Sequence, residues 1–122
     1  DSIEIYIDAD GSRADKFDGQ NDFQLTFRMK DQTVAIGQSS PVRNTRLIRH
    51  TMAKTTHGYR LEASIPWAML GVWPKPGMQI GFDIQINDDD NGDQRDAKIS
   101  WNAMLDEAWK NPRLFGELVI KN

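Results

Sequence analysis

Hydrophobic and polar residues alternate along most of this chain, which is the pattern of β-strands with one buried face. In residues 2–8, isoleucine stands at every second position from Ile3 onward. The same alternation, built from phenylalanine, leucine and isoleucine, recurs in residues 22–30 and 78–87. Further strand candidates, shorter or less regular, are residues 32–37, 46–54, 58–65, 97–101 and 115–121. The pattern therefore predicts an all-β fold.

Only one short helix is predicted, at residues 66–70. Pro66 stands at its first position and Gly71 just beyond its end, an asymmetry typical of helices. Several half-buried strands at short spacing predict an antiparallel β-sandwich of the jelly-roll or immunoglobulin-like kind. A chain of 122 residues buries one hydrophobic core, so residues 1–122 are predicted to form a single domain.

The composition excludes several classes of protein. The chain has no cysteine, which excludes disulfides, thiolate metal sites and cysteine nucleophiles. No apolar run approaches the ~18 residues of a membrane-spanning helix. The basic segment 43–60 lacks the interleaved aromatic residues on which nucleic-acid bases would stack, and a charged edge strand accounts for it better. The sequence predicts no nucleic-acid partner and no membrane partner.

Catalytic patterns are also missing from the sequence. No Ser-His-Asp order, phosphate-binding glycine loop or paired-histidine metal site is present. Glu4 and Asp83 could face one groove as a glycosidase pair, yet nothing in their sequence context indicates the raised pKa of a general acid. A protein without enzymatic activity is predicted.

Fourteen of the 18 acidic residues are aspartates, a residue that suits turns and calcium loops. Two clusters are candidates for a structural calcium ion, because carboxylates crowded in loops repel one another unless they are solvated or neutralised. One cluster begins with Asp8 and Asp10, and the other includes Asp88 and Asp90. Solvated turns without metal are the alternative for both.

The last third of the chain suggests a sugar-binding surface. A strand with outward amides and carboxylates at residues 81–88 is followed by Trp109, which has few apolar neighbours in sequence. A sugar ring needs an apolar platform for its C–H face and polar groups for its hydroxyls. A core or lid position for Trp109 is the alternative. Trp73, in a proline-rich loop, is either a second exposed platform or a residue packed beneath that loop.

Five blocks of this sequence, in order, resemble family 9 carbohydrate-binding modules. They are Asp1 to Asp8, Gly58 to Trp67, Ile80 to Asp88, Ile99 to Asn102 and Trp109 to Gly116. The resemblance implies a secreted β-sandwich attached to polysaccharide-degrading enzymes, with calcium in a structural role. It also implies that a terminal sugar of xylan or cellulose is clamped between two tryptophans.

The resemblance assigns roles to particular residues. Trp109 matches one wall of the clamp, and Glu4 and Gln85 match residues that bond the sugar hydroxyls. Asp106 stands where the family can use asparagine. Thr26 replaces a family arginine, for which Arg28 can substitute from the same sheet face.

This sequence departs from the family pattern at its start, before Asp1. Family modules carry further early strands and the second clamp tryptophan there, so the module is expected to be incomplete at its N-terminus. A partly uncovered sheet is one consequence. The alternative function is therefore a structural or assembly module that another chain or segment completes, without sugar binding.

Overall fold

The computed structural model describes residues 1–89 and 97–121. Its strands are β1 (Ser2–Asp8), β2 (Asp22–Arg28), β3 (Val34–Ile36), β4 (Arg49–Thr55), β5 (Gly58–Ser64), β6 (Gln79–Asp88), β7 (Ala97–Ser100) and β8 (Gly116–Val119). The helix α1 spans Trp67–Leu70, and 3₁₀ turns span Thr45–Leu47 and Pro112–Leu114. Within the described ranges, no helix combines the length and the apolar character needed to cross a membrane.

The strands form two antiparallel sheets. Six of them make one sheet in the order β3-β2-β1-β6-β7, with β8 also paired to β6. The β4–β5 hairpin forms the second sheet. The central strand β1 pairs over its whole length with β2 on one side and β6 on the other. The predicted all-β fold with one short helix is confirmed.

The hydrophobic core lies between the large sheet and the β4–β5 hairpin. Ile5 from β1 and Leu25 and Phe27 from β2 are buried there. Met52 from β4 and Leu70 from α1 belong to the same buried cluster. Because side chains alternate along a strand, this packing directs the intervening residues of β1 and β2 to the opposite face of the sheet.

That opposite face is also covered around β1, which alternation alone does not predict. Tyr6 has no exposed surface, and Glu4 is only 9% exposed. The segment after β7 folds across this face, where Ala103, Ala108 and Phe115 form a second buried cluster with Tyr6. Strand β1 is therefore buried on both sides, and its polar residues need partners.

Two local predictions differ in detail from the structure. Pro66 lies at the N-cap in an extended conformation, so the helix begins at Trp67. Gly71 caps the other end with a φ of 75°, a left-handed conformation that glycine adopts without steric cost. The segment 46–54, expected to be a single strand, begins with a 3₁₀ turn and continues as β4.

The hairpin is narrower than the sheet it covers, so part of the inward face stays exposed. On this face the pairings of β6 put Ile84 beside Ile5 and Ile86 beside both Ile3 and Ile99. Ile84 and Ile86 are each 37% exposed, and Ile99 is 68% exposed. We call Ile84, Ile86, Ile99, Trp101 and Leu118 the uncovered strip.

Gly116 is required by the position of the Trp101 ring. A Cβ atom at residue 116 would lie 2.5 Å from the ring and 3.1 Å from the backbone oxygen of Phe82. We expect Gly116→Val to lower the free energy of unfolding by about 1–3 kcal/mol, because overpacking displaces a rigid ring or the strand itself. Urea denaturation measures this change. Gly58→Val is the matched control, since nothing lies within 4 Å of that Cβ position, and an equal loss there would refute the steric explanation.

Candidate functional site

Four polar residues form a row across the large sheet, on the face opposite the core. Glu4 on β1 pairs with Thr26 on β2 and with Gln85 on β6. Gln85 in turn pairs with Ser100 on β7. Directly paired residues have neighbouring side chains, so the register brings together Glu4, Gln85 and Thr26 as the sequence predicted.

Glu4 is the centre of a buried hydrogen-bond network. Its Oε2 accepts a hydrogen bond of 2.7 Å from the Tyr6 hydroxyl and lies 3.1 Å from Nζ of Lys98. The amide of Gln24 donates to the Tyr6 hydroxyl at 3.1 Å and to Oε1 of Glu4 at 3.4 Å. Burial raises the pKa of Tyr6, and the hydrogen bond and charge of Glu4 raise it further. The phenol therefore stays neutral and remains a donor.

Gln85 is buried without a protein partner for its amide group. Its side chain has no exposed surface, and neither Oε1 nor Nε2 has a hydrogen-bond partner. Leaving such a group unpaired costs about 1–3 kcal/mol. An amide that both donates and accepts is suited to a hydroxyl, which also does both.

The segment that covers the site is attached to the sheet by hydrogen bonds from its backbone to one side chain of β6. The carboxylate of Asp83 on β6 accepts from the backbone N–H groups of Asn102 and Ala103, each at 2.9 Å. This attachment leads the chain to Asp106, whose Oδ1 lies 3.0 Å from Nζ of Lys98. Asp106 and Glu4 therefore contact the same ammonium group, which places Asp106 beside the polar row.

Trp109 lies in the same covering segment, next to the buried Ala108. Its side chain is 40% exposed, and the ammonium of Lys110 lies 5.3 Å from the ring centroid. Trp109 is thus neither a core residue nor fully in solvent. Trp73 is 76% exposed, so among its two predicted positions the structure favours the exposed one.

The remaining predicted site residues lie at the margin of the row. Thr26 is half-buried, and Arg28 is exposed. Arg28 pairs with Ser2, two pairs along the strands from Thr26 and Glu4, and therefore lies on the same face as Thr26. The cation that contacts Glu4 is Lys98, a residue that the sequence reasoning missed. Its only sequence signal was alternation with Ser100 in the strand at 97–101.

The first aspartate cluster is built around two opposed, buried carboxylates. Asp8 pairs directly with Asp22 across β1 and β2, and both have no exposed surface. Asp8 accepts from the backbone N–H groups of Ser12 and Arg13 at 3.3 and 2.7 Å. Asp22 accepts from the N–H of Asp18 at 2.9 Å, while its Oδ1 has no partner. Two carboxyl groups are thus held together away from water.

Burial shifts the acidity of this pair. It raises the pKa of Asp22 to about 7, with the charges of Asp18 and Asp8 adding to the shift. Burial also raises the pKa of Asp8, although the Arg13 N–H opposes it. Burial acts the same way on Asp10, but hydrogen bonds with Asp8 and Ser12 outweigh it and lower the pKa of Asp10.

Over residues 1–89 and 97–121, no three carboxylate or imidazole side chains are grouped to hold a metal ion. Asp8 and Asp10 lie together, with Asp22 as an unpredicted neighbour. Asp88 is exposed at the end of β6. Asp90 lies outside the described residues.

The chain matches the family described as carbohydrate family 9 binding domain-like over residues 1–122. It is 34% identical over 119 residues to endo-1,4-beta-xylanase A of Thermotoga maritima, covering 97% of this chain and 10% of that protein. It is 27% identical over 123 residues to exoglucanase XynX of Acetivibrio thermocellus, covering 98% of this chain and 10% of that protein. The chain thus spans a tenth of the length of these curated relatives.

Solved structures of similar fold come from Caldicellulosiruptor kristjanssonii. A family 9 carbohydrate-binding module in complex with cellotriose superposes with a TM-score of 0.84 at 28% identity, covering 100% of this chain and 58% of that one. A structure of such a module in complex with glucose gives a TM-score of 0.83 at 28% identity, with coverage of 100% and 59%.

Proposed function

This chain belongs to the carbohydrate family 9 binding domain-like family, and we propose on that basis that it binds the terminal sugar of a plant polysaccharide such as xylan or cellulose. It acts as a non-catalytic module. The observation that carries the proposal is the unpaired, buried amide of Gln85 beside the carboxylate of Glu4. A sugar hydroxyl satisfies both groups, since it accepts from the amide and donates to the carboxylate.

The ligands of the solved neighbours support this substrate class. The two Caldicellulosiruptor kristjanssonii modules are in complex with cellotriose and with glucose. Both ligands are neutral sugars. A neutral sugar also suits the described charges of the row, because Glu4 and Asp106 already contact the ammonium of Lys98.

Entry of the sugar requires a side chain to move. Gln85 has no exposed surface, and the Lys98 side chain crosses above β6 to reach Glu4. Lysine has a long, unbranched stem that reorients easily. We infer that the stem of Lys98 moves aside above β6 as the sugar reaches Gln85, while its ammonium keeps its contacts with Glu4 and Asp106.

Trp109 supplies the apolar platform in this proposal. Stacking that removes ~100 Å² of ring surface from water contributes about 2–3 kcal/mol. Millimolar binding requires about 4 kcal/mol, so the polar row has to supply the remainder. A platform on one side alone therefore predicts weak to moderate affinity.

We expect Trp109→Ala to weaken sugar binding by roughly 30-fold or more, since it removes that stacking contribution. Isothermal titration calorimetry with cellobiose and xylobiose measures the change, and the thermal midpoint should stay near that of the parent protein. Trp101→Ala is the matched control, because Trp101 is an exposed tryptophan on the opposite, core-facing side of the sheet, where it packs against Phe82. Unchanged affinity in Trp109→Ala would refute the platform assignment.

The relatives suggest the setting in which the module works. Endo-1,4-beta-xylanase A and exoglucanase XynX are about ten times longer than the matched region. We propose that this module is likewise secreted and attached to a polysaccharide-degrading catalytic domain, which it holds near its substrate. Tethering of this kind raises the effective concentration of the substrate ends around the enzyme.

We also propose a structural calcium ion at the first aspartate cluster. Asp8 and Asp22 offer two facing carboxylates, and the buried Oδ1 atoms of Asn21 and Asp22 have no hydrogen-bond partner, so an amide oxygen would complete the ligands of the two carboxylates. Oxygen ligands of this kind suit calcium. The ion would relieve the repulsion between Asp8 and Asp22 and would fix the turn after β1. It would take no part in sugar chemistry.

The uncovered strip favours a second candidate function, that of an assembly module. Ile99 at 68% and Trp101 at 59% exposure are apolar side chains on the core-facing side of the sheet, a position that another polypeptide would normally cover. Light scattering coupled to size-exclusion chromatography distinguishes the two. A stable oligomer with no heat of sugar binding would favour assembly, whereas a sugar-binding monomer would favour the first proposal.

A further inference from the structure

We propose that Lys98 is a positioning residue of the sugar site, which fixes the covering segment that carries Asp106 and Trp109 to the carboxylate of Glu4. The proposal rests on the sugar-binding function proposed above. Lys98 Nζ lies 3.1 Å from Glu4 Oε2 and 3.0 Å from Asp106 Oδ1. One ammonium group thus joins β1 of the sheet to the segment that follows β7.

The burial of these groups makes the contact energetically important. The side chains of Lys98 and Glu4 are 11% and 12% exposed, whereas Asp106 is 52% exposed. A partly desolvated pair is screened by water much less than a surface pair. Removal of the cation would leave Glu4 buried beside the charge of Asp106, with no other cation in contact in the described part of the chain.

The strand order shows what the pair does to the site. Strand β6 lies between β1 and β7, so the bond from Lys98 to Glu4 passes across the face of β6. Gln85 and Asn87 lie on that face, paired with Glu4 and Ser2. The lysine therefore spans the polar row and sets the distance between the sheet groups and the covering segment.

Other cations near the row do not take this role. Thr26, directly opposite Glu4, is uncharged. Arg28 is exposed and pairs with Ser2, two positions along β1 from Glu4. Lys110 lies over the Trp109 ring and 3.6 Å from Glu107. Among the cations of the described residues, Lys98 is the one that contacts both Glu4 on the sheet and Asp106 on the covering segment.

The test compares Lys98→Met, Lys98→Arg and the control Lys75→Met, which alters an exposed lysine in the loop after α1. Affinity for cellobiose and xylobiose is measured by calorimetry, and hydrogen exchange of residues 102–111 is measured without sugar. We expect Lys98→Met to weaken binding about 30-fold and to speed exchange in residues 102–111 about tenfold. Lys98→Arg keeps the cation and should therefore retain most of the sugar affinity and of the protection from exchange. Lys75→Met should change neither the affinity nor the exchange.

Each outcome decides one claim. Unchanged exchange of residues 102–111 in Lys98→Met overturns the positioning role, as does affinity within twofold of the parent protein. If the parent protein itself binds neither sugar, the proposed function fails, and the exchange data alone decide whether Lys98 attaches the segment. If Lys98→Met does not fold, the double variant Glu4→Gln with Lys98→Met removes both charges and should fold. Exchange in residues 102–111 of the double variant equal to that of the parent protein would then refute the proposal.

Discussion

Gln85→Leu should make the protein more stable and abolish its sugar binding. The amide of Gln85 has no protein partner and no exposed surface, so leucine removes an unpaired polar group while filling most of its volume. We expect the free energy of unfolding to rise by about 1–3 kcal/mol. Affinity for cellobiose and xylobiose should fall roughly 30-fold or more. The sugar hydroxyls would lose their hydrogen bonds to the Gln85 amide and would be buried without a partner.

A gain in stability together with a loss of sugar affinity separates a binding residue from a structural one. A glutamine retained at a cost in stability is typical of a functional position. Gln24→Leu is the matched control, since the Gln24 amide donates to Tyr6 and Glu4. Leucine there should lower stability by about 1 kcal/mol. A lowered thermal midpoint in Gln85→Leu would contradict the prediction and would mean that ordered water already satisfies the amide.

Alternation predicted the sheet and its polar row because both depend on local sequence. One face of β1 and β2 is apolar and the other largely polar, so the period of two identifies Ile5 and Leu25 as inward and Glu4 as outward. The short-range signals of Pro66 and Gly71 located α1 to within one residue. The family resemblance is confirmed over the whole chain. It is the source of the roles proposed for Gln85 and Trp109, because alternation predicts only the face on which a residue lies.

The covering segment and its contacts could not be predicted in this way. Whether Tyr6 is buried depends on Phe115, more than a hundred positions away, folding onto the same face. The contact of Lys98 with Glu4 depends on β6 lying between β1 and β7, and no local pattern contains that order. Similarly, Asp22 faces Asp8 only through the register of β1 and β2, so the aspartate cluster was expected without its buried partner.

In the absence of calcium, we expect the protein to lose stability as the pH rises from about 4 to about 7. The pKa of Asp22 is raised to about 7 in the folded protein, whereas the unfolded value is close to 4. In this window the folded state holds a proton that the unfolded state has released, so the free energy of unfolding falls with pH. The full loss is on the order of 4 kcal/mol, and the raised pKa of Asp8 acts in the same direction.

Calcium should reverse this dependence if it binds the cluster, because metal ions bind deprotonated carboxylates and the stabilisation therefore grows with pH. Thermal midpoints measured across this range, with a chelator and with excess calcium, test both claims. Asp22→Asn should flatten the profile in chelator and raise the midpoint at neutral pH, since it removes the buried charge. Asp15→Asn, at an exposed position of the same loop, should leave the profile unchanged. A profile in chelator that rises with pH, or one that Asp22→Asn does not alter, would show that the Asp8–Asp22 pair does not control the stability of the fold.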